Sequence, residues 1–120
     1  MMCVRSGADL AGAVSIHGGL TTGRPAEPGA VAAKILVCHG ASDPHVPMAD
    51  VSAFAEEMNR AEADWQLIVY GRALHGFTHR HAVPGAVAGV AYDATADERS
   101  FVATRAFLAD VLGPGLTSVR

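Results

Sequence analysis

Two polar residues, Asp43 and His75, each follow an apolar segment with the composition of a β-strand. Asp43 lies four residues beyond the segment Lys34–His39, and His75 lies five residues beyond the segment Trp65–Tyr70. Reactive groups in open parallel sheets collect where the strands end, so these side chains are expected to meet if the two strands are neighbours. An aspartate that fixes the tautomer of a histidine leaves that histidine able to activate a nucleophile. The spacing therefore predicts two of the three members of a nucleophilic triad.

The two cysteines are the other candidates for covalent chemistry. Cys38 lies inside a predicted strand, which favours a buried apolar role over a reactive one. Cys3 lies near the start of the sequence and lacks the closely flanking glycines of a sharp strand-to-helix turn. Neither cysteine is therefore favoured as the nucleophile.

Further histidines lie close to the predicted strand ends. His17 and His39 each precede a glycine, and we expect both to be structural, with their rings bonded to backbone at the rim of the sheet. His75, His79 and His81 have a spacing that suggests a metal site, but no cysteine or acidic partner is nearby, so the evidence for zinc is weak. We predict neither a metal nor an organic cofactor.

The pattern of apolar residues predicts three strands that alternate with two helices. Strands are expected at Ala13–Ile16, Lys34–His39 and Trp65–Tyr70, where β-branched and aromatic residues are frequent. The second of these has no strict alternation, which favours burial on both faces, as in a parallel sheet. Strands that alternate with helices imply crossover connections, so the predicted fold class is α/β.

Both helices show an apolar stripe at helical spacing. The first is predicted from Met48 to about Glu62. Its apolar stripe contains Val51, Phe54, Ala55 and Met58. Its predicted solvent face contains Asp50, Glu56, Glu57 and Arg60. The second is predicted to begin at a capping box with Thr95 as the N-cap and Glu98 three residues later, and to end before Gly113. Its predicted stripe is Phe101, Thr104, Leu108, Val111 and Leu112.

Length and composition limit the range of functions. A chain of 120 residues that is 50% hydrophobic suits one domain, predicted at residues 1–113, followed by a flexible tail at 114–120. A formal net charge of −3 argues against binding to nucleic acid. No apolar run approaches the roughly 18 residues of a membrane span, so no membrane partner is expected. Two widely separated cysteines form no disulfide framework, which favours a cytoplasmic location.

Three segments resemble the dienelactone hydrolase family of the α/β-hydrolase superfamily. His39–Pro47, with the sequence HGASDPHVP, resembles the family's acid loop, HG-x-x-D-x-x-V-P. Gln66–Thr78 resembles the histidine loop, Y-x-x-x-x-H-x-F, and Ala13–Gly19 resembles the strand that follows the nucleophile helix. The resemblance extends from about Arg5 to Gly113. It implies the C-terminal part of an α/β-hydrolase fold: a mostly parallel sheet of about three strands with flanking helices, in which Asp43 and His75 are catalytic.

The sequence departs from this family at the nucleophile. The family places a cysteine or serine in a G-x-[CS]-x-G turn, whereas Gly85–Gly89 has only the spacing. Counting back from Ser15, the turn would lie before residue 1, so we expect the early strands and the nucleophile to be missing. The family's lactone-cleaving enzyme binds a substrate carboxylate through an arginine four residues beyond its catalytic histidine. Here His79 occupies that position and Arg80 follows it, so these two are the substrate-binding candidates.

Two functions follow from this resemblance. The first is a hydrolase that cleaves small ester or lactone bonds by a Cys/Ser-His-Asp mechanism, with the nucleophile supplied from elsewhere. The alternative is a catalytically inactive fragment or assembly module, which associates with itself or with an N-terminal half through an exposed sheet edge.

Overall fold

Three parallel strands form the centre of the molecule, in the order in which they occur in the sequence. The computed structural model describes residues 1–113, and the predicted flexible tail at 114–120 lies outside the described residues. The elements are α1 (Met2–Arg5), β1 (Gly12–Ile16), β2 (Lys34–Gly40), α2 (Met48–Arg60), β3 (Trp65–Tyr70) and α3 (Ala94–Leu112). This arrangement confirms the predicted parallel sheet with flanking helices.

The central strand, β2, separates two apolar clusters because its side chains alternate between the two faces of the sheet. Ile35 and Val37 pack in the cluster that includes α2, whereas Leu36 and Cys38 pack in the cluster that includes Phe107 of α3. Every residue of β2 after Lys34 is buried, as its unbroken apolar sequence predicts. The strand that leads to Asp43 is therefore held on both faces.

The predicted solvent face of α2 is wrong at one position. Glu57 is only 4% exposed, and its carboxylate pairs with the guanidinium group of Arg5, which is 8% exposed. The same carboxylate accepts a hydrogen bond from the amide of Ala26, and Arg5 donates to the carbonyl oxygen of Leu20. A buried charge is costly unless it is paired and hydrogen-bonded, so this network explains how Glu57 is accommodated.

The predicted start of α3 is also wrong. The helix begins at Ala94, and the N-cap is Asp93, whose carboxylate accepts a hydrogen bond from the amide of Ala96 at 3.0 Å. Thr95 therefore lies inside the first turn and does not cap it. Of the predicted stripe, Leu108 and Val111 pack against the core. Leu112 is instead 60% exposed, and Phe107, which the predicted stripe omitted, is buried.

Strand β1 is an edge strand within the described part of the chain. It pairs with β2 on one side, and each of its five residues is partly buried. None of the helices in residues 1–113 combines the length and apolar character needed to cross a membrane.

Candidate active site

Asp43 and His75 meet at the ends of two neighbouring parallel strands. Asp43 follows β2 and His75 follows β3, and the Nδ1 atom of His75 lies 2.8 Å from Oδ2 of Asp43. The side chain of Asp43 is fully buried, whereas that of His75 is 32% exposed. The predicted pair is thus assembled, with its carboxylate shielded from water and its imidazole accessible.

The carboxylate of Asp43 is fixed by its own loop. Its second oxygen, Oδ1, accepts hydrogen bonds from the backbone amides of His45 at 2.8 Å and Val46 at 3.1 Å. Hydrogen bonds from amides to an ionised carboxylate are stronger than those between neutral groups. The two amides therefore orient Oδ2 towards His75 before any substrate is present.

The long segment between β3 and α3 is organised around the backbone of His75. The amide of His75 donates to the carbonyl oxygen of Gly89 at 3.0 Å, and the amide of Ala91 donates to the carbonyl oxygen of His75 at 3.2 Å. These bonds form a parallel bridge between His75 and Val90. The segment thus holds the backbone of His75 through both its amide and its carbonyl group.

Glycine allows the loops that carry Asp43 and His75 to approach each other. A methyl group on Gly40 would lie 2.5 Å from the carbonyl oxygen of Ala73, and one on Gly89 would overlap the ring of Pro44. Gly89 also has a φ of 76°, which disfavours other residues. The end of β2 therefore packs directly against the main chain of Ala73, and the main chain of Gly89 packs directly against the ring of Pro44.

Two more imidazoles pack against His75. The ring of His17 lies edge-on with its centroid 5.6 Å away, and the ring of His45 lies 5.2 Å away. His17 is hydrogen-bonded through Nε2 to Oγ1 of Thr78 at 2.9 Å, a side-chain partner that the sequence did not predict. His45, which the sequence analysis did not select, donates from Nε2 to the carbonyl oxygen of Ala88 at 2.9 Å. Its position two residues after Asp43 is the signal that could have identified it.

His39 lies below the pair and is 1% exposed. Within the described residues, the ring nitrogens of His39 are buried without a close hydrogen-bond partner, and the backbone of Val46 is the polar group that acts on the ring. Burial lowers the pKa of His39, against the opposing effect of the Asp43 carboxylate. A neutral ring is the form that this enclosed position favours.

The predicted substrate-binding residues, His79 and Arg80, diverge in the structure. The ring of His79 lies 4.8 Å from that of His17, beside the pair. Arg80 instead extends towards α3, where its Nε atom lies 3.8 Å from Oδ2 of Asp97. It lines a cavity of about 390 Å³ together with Ile16, Thr78, Asp97, Ser100, Phe101 and Thr104. Thr78 borders both this cavity and His17, so the cavity adjoins the site.

Comparison with known proteins assigns the family. The sequence model of the dienelactone hydrolase family matches residues 1–112. The chain belongs to the dienelactone hydrolase family. An uncharacterized protein of Caenorhabditis elegans is 45% identical over 74 residues, which cover 62% of this chain and 47% of that protein.

Solved structures of similar proteins agree with this assignment. The protein m3DLH is 39% identical with a TM-score of 0.82, and a dienelactone hydrolase-like promiscuous phosphotriesterase from metagenomic libraries is 38% identical with a TM-score of 0.83. Each match covers 90% of this chain and 45% of the solved chain. A dienelactone hydrolase-like protein of Klebsiella pneumoniae, at 22% identity and a TM-score of 0.67, supports the fold alone. The chain therefore spans somewhat less than half the length of its relatives.

The cysteines of this dienelactone hydrolase family member lie in different environments. Cys38 is fully buried, the hydroxyl of Tyr70 approaches its sulfur at 3.9 Å, and burial raises the pKa of its thiol. A raised pKa disfavours the thiolate that nucleophilic attack requires. Cys3 is exposed on α1.

The metal alternative for His75, His79 and His81 finds no supporting geometry. In residues 1–113, no group of three or more histidine, cysteine or acidic side chains is arranged to bind a metal ion.

Proposed function

We propose that this chain provides the acid–base pair of a hydrolase that cleaves small ester or lactone bonds. The observation that carries the proposal is the 2.8 Å contact between Nδ1 of His75 and Oδ2 of Asp43, with Oδ1 held by two backbone amides. An ionised carboxylate only accepts hydrogen bonds, so the proton between the two residues belongs to Nδ1. The other ring nitrogen, Nε2, is then the proton acceptor of the site.

The proposed reaction uses Nε2 of His75 twice. It first takes the proton from a cysteine thiol or serine hydroxyl as that group attacks the ester carbonyl carbon, and Asp43 stabilises the resulting imidazolium. The same proton then passes to the leaving alkoxide as the carbon–oxygen bond breaks and the acyl-enzyme forms. Nε2 then takes a proton from the water that attacks the acyl carbon, and it returns that proton to the cysteine or serine as the acyl bond breaks and the acid is released.

We further propose that the nucleophile comes from a segment outside this chain. Burial of Cys38 argues against that residue, and Cys3 lies exposed on α1, an element that carries neither Asp43 nor His75. The solved relatives are more than twice as long as the matched region, since it covers 45% of each. Their additional length is sufficient for further strands and a nucleophile-bearing turn.

The substrate proposal rests on the surroundings of the pair. His79, beside His17, and Arg80, in the adjoining cavity, are the candidates to bind a polar group of a small ester or lactone. One solved relative is described as a promiscuous phosphotriesterase, so phosphotriesters are a second substrate class to assay. The predicted cytoplasmic location stays a prediction.

The alternative proposal is an inactive assembly module. Its support is β1, which has a paired strand on only one side in the described part of the chain and is half-buried throughout. An open edge offers main-chain groups to a further strand. An N-terminal half could join there and extend the sheet, or a second copy of the chain could do so.

Two measurements test these proposals. The first is the 5′ sequence of the transcript, in which the hydrolase proposal expects an in-frame strand, a G-x-[CS]-x-G turn and a helix upstream of residue 1. A closed upstream frame would favour the assembly module.

The second measurement is hydrolysis of p-nitrophenyl acetate, with and without the co-expressed N-terminal part of m3DLH that this chain does not match. We expect turnover that depends on His75 only in the co-expressed complex, with His81→Ala as the matched control and His75→Ala as the inactive variant. Turnover by the isolated chain that depends on His75 would refute an external nucleophile. A stable complex without such turnover would support the assembly module.

A further inference from the structure

His17 adopts a backbone conformation that a histidine rarely adopts. It follows β1 with a φ of 44°, in the left-handed region that glycine enters without steric cost. Two glycines, Gly18 and Gly19, come directly after it. Residues strained in this way cluster at functional sites, where the surrounding structure holds them in place. The strained backbone at His17 therefore indicates that the position of its side chain is important.

The ring of His17 is fixed by contacts on several sides. Its Nε2 atom is hydrogen-bonded to Oγ1 of Thr78 at 2.9 Å. Its edge meets the ring of Phe77 with a centroid separation of 5.1 Å, and the ring of His79 lies 4.8 Å away. Phe77 is fully buried, so it provides a rigid support. His17 is thus an immobilised imidazole beside His75.

The ring of His75 is in turn enclosed by three groups. Asp43 bonds its Nδ1 atom, the ring of His45 lies 5.2 Å away, and the ring of His17 lies 5.6 Å away at an interplanar angle of 66°. The torsion that turns an imidazole about its own axis is broad and weakly restricted in isolation. Neighbouring rings must therefore supply the restriction that keeps Nδ1 on Asp43.

We propose that His17, held by Thr78, is a positioning residue that fixes the ring plane of His75 and keeps its Nδ1–H on Asp43. This inference rests on the proposed role of the Asp43–His75 pair. It gives the histidine at the end of β1 a function that the sequence analysis did not assign.

The electrostatic setting of His17 suits this role. The titratable groups that face it are His75 and His79 from the segment after β3, and Asp43 from the loop after β2. Burial lowers the pKa of His17, His79 and His75 lower it further, and Asp43 partly opposes them. The ring therefore stays neutral where a charged one would repel the imidazolium formed on His75.

The test is long-range proton–nitrogen NMR of the histidine rings in the ¹⁵N-labelled chain. The wild type is expected to show His75 as the Nδ1–H tautomer, with a downfield, slowly exchanging ring proton. His17→Gly deletes the ring and suits the local backbone, and we expect it to abolish the slow exchange and mix the tautomers of His75. Thr78→Val, which replaces the hydroxyl with a methyl group of similar size, is expected to shift the same signal in the same direction.

Further variants distinguish a failure of the proposed role of His17 from a failure of the Asp43–His75 pair itself. His17→Phe retains a ring at the same place and is expected to restore much of the slow exchange, while His81→Ala should change nothing. If the His75 signal is present but unaffected in folded His17→Gly and Thr78→Val, the role of His17 is refuted and the pair survives. If the wild-type chain lacks the signal, or if Asp43→Asn leaves it unchanged, the pair itself is refuted.

Discussion

Arg5 and Glu57 form a two-point ion pair in the interior, with Nε 2.7 Å from Oε2 and Nη2 2.8 Å from Oε1. The pair joins the four-residue helix α1 to the C-terminal half of α2, although the two residues are 52 positions apart. Arg5 also lies over the ring of Phe54, 5.9 Å from its centroid. A single bonded network therefore fixes the start of the described chain to the helix that supports the acid loop.

Removal of one partner of this ion pair is expected to be costly. Arg5→Met leaves the Glu57 carboxylate buried without its partner, and we expect a loss of about 3–5 kcal/mol in the free energy of unfolding. Lys34→Met is the matched control, because the Lys34–Asp110 pair is exposed and 3.9 Å long and should contribute below about 1 kcal/mol. Urea titration followed by circular dichroism measures both. A small loss in Arg5→Met would contradict the structural role of the pair.

The free energy of unfolding should fall as the pH is lowered. His17 and His39 have pKa values below 6.5 in the folded chain, so only the unfolded chain takes up their protons as the pH falls through 6.5. Their contribution is present above pH 6.5 and decreases below it. The hydrogen bond from Arg5 lowers the pKa of Glu57 below 4.5, which predicts a further loss below that pH.

Urea titrations between pH 8 and pH 4 measure how the free energy of unfolding changes with pH. His39→Leu should flatten the loss between pH 6.5 and 5, whereas His81→Gln, an exposed control, should retain it. A free energy of unfolding that is constant between pH 8 and 5 would contradict this prediction.

The close approach of the loops that carry Asp43 and His75 predicts different effects for alanine substitutions at two glycines. In Gly40→Ala, the methyl group meets the main chain of Ala73, which cannot move aside as a flexible side chain would. We expect a loss of about 1–3 kcal/mol, as for other overpacked sites, and a displaced His75 loop. Gly71→Ala has open space around the added methyl group and should differ little from the wild type. Thermal unfolding of both variants measures the difference, and equal melting temperatures would be inconsistent with the packing.

The N-cap of α3 gives a prediction that distinguishes the structure from the sequence pattern. Asp93→Ala removes the acceptor for the amide of Ala96 and should cost about 1 kcal/mol. Thr95→Ala should change the free energy of unfolding by much less, because Thr95 lies inside the helix. If chemical denaturation showed a larger loss in the free energy of unfolding for Thr95→Ala than for Asp93→Ala, Thr95 would be the N-cap.

Asp43→Asn tests the mechanism in the complex with an N-terminal half. Asparagine has nearly the same shape as aspartate. Its amide can donate an N–H to Nδ1 of His75, which favours the tautomer that carries the proton on Nε2. We expect kcat to fall by roughly 10³- to 10⁴-fold, with a smaller change in KM. Steady-state hydrolysis of p-nitrophenyl acetate gives both constants. A variant that retained most of the wild-type kcat would show that Asp43 does not act through His75.

Sequence alone was sufficient for the features that depend on short-range patterns. The three strands could be predicted because each is a short segment rich in apolar and β-branched residues. The Asp43–His75 contact could be predicted because both residues follow neighbouring parallel strands. The cap of α3 was predicted two residues late because the sequence that begins at Thr95 also fits a capping box. The structure shows that the carboxylate of Asp93 accepts the capping hydrogen bond.

Long-range contacts were beyond the reach of the sequence. A helical projection places Glu57 among charged residues, and nothing local indicates that Arg5 neutralises it. His17 and His45 pack against His75 because three loops meet at this point of the structure. The spacing of residues within any one segment does not predict that these loops meet.

Within residues 1–113, β1 is paired on one side only, which has a consequence for the amount of this protein in the cell. Unpaired main-chain donors and acceptors along an edge strand are the kind of surface that chaperones shield and that promotes aggregation. Chains whose edge is covered should persist, while uncovered chains should be cleared by proteases. We therefore expect the abundance of this protein to follow the supply of whatever covers β1, so that its level is set by stoichiometry more than by its own rate of synthesis.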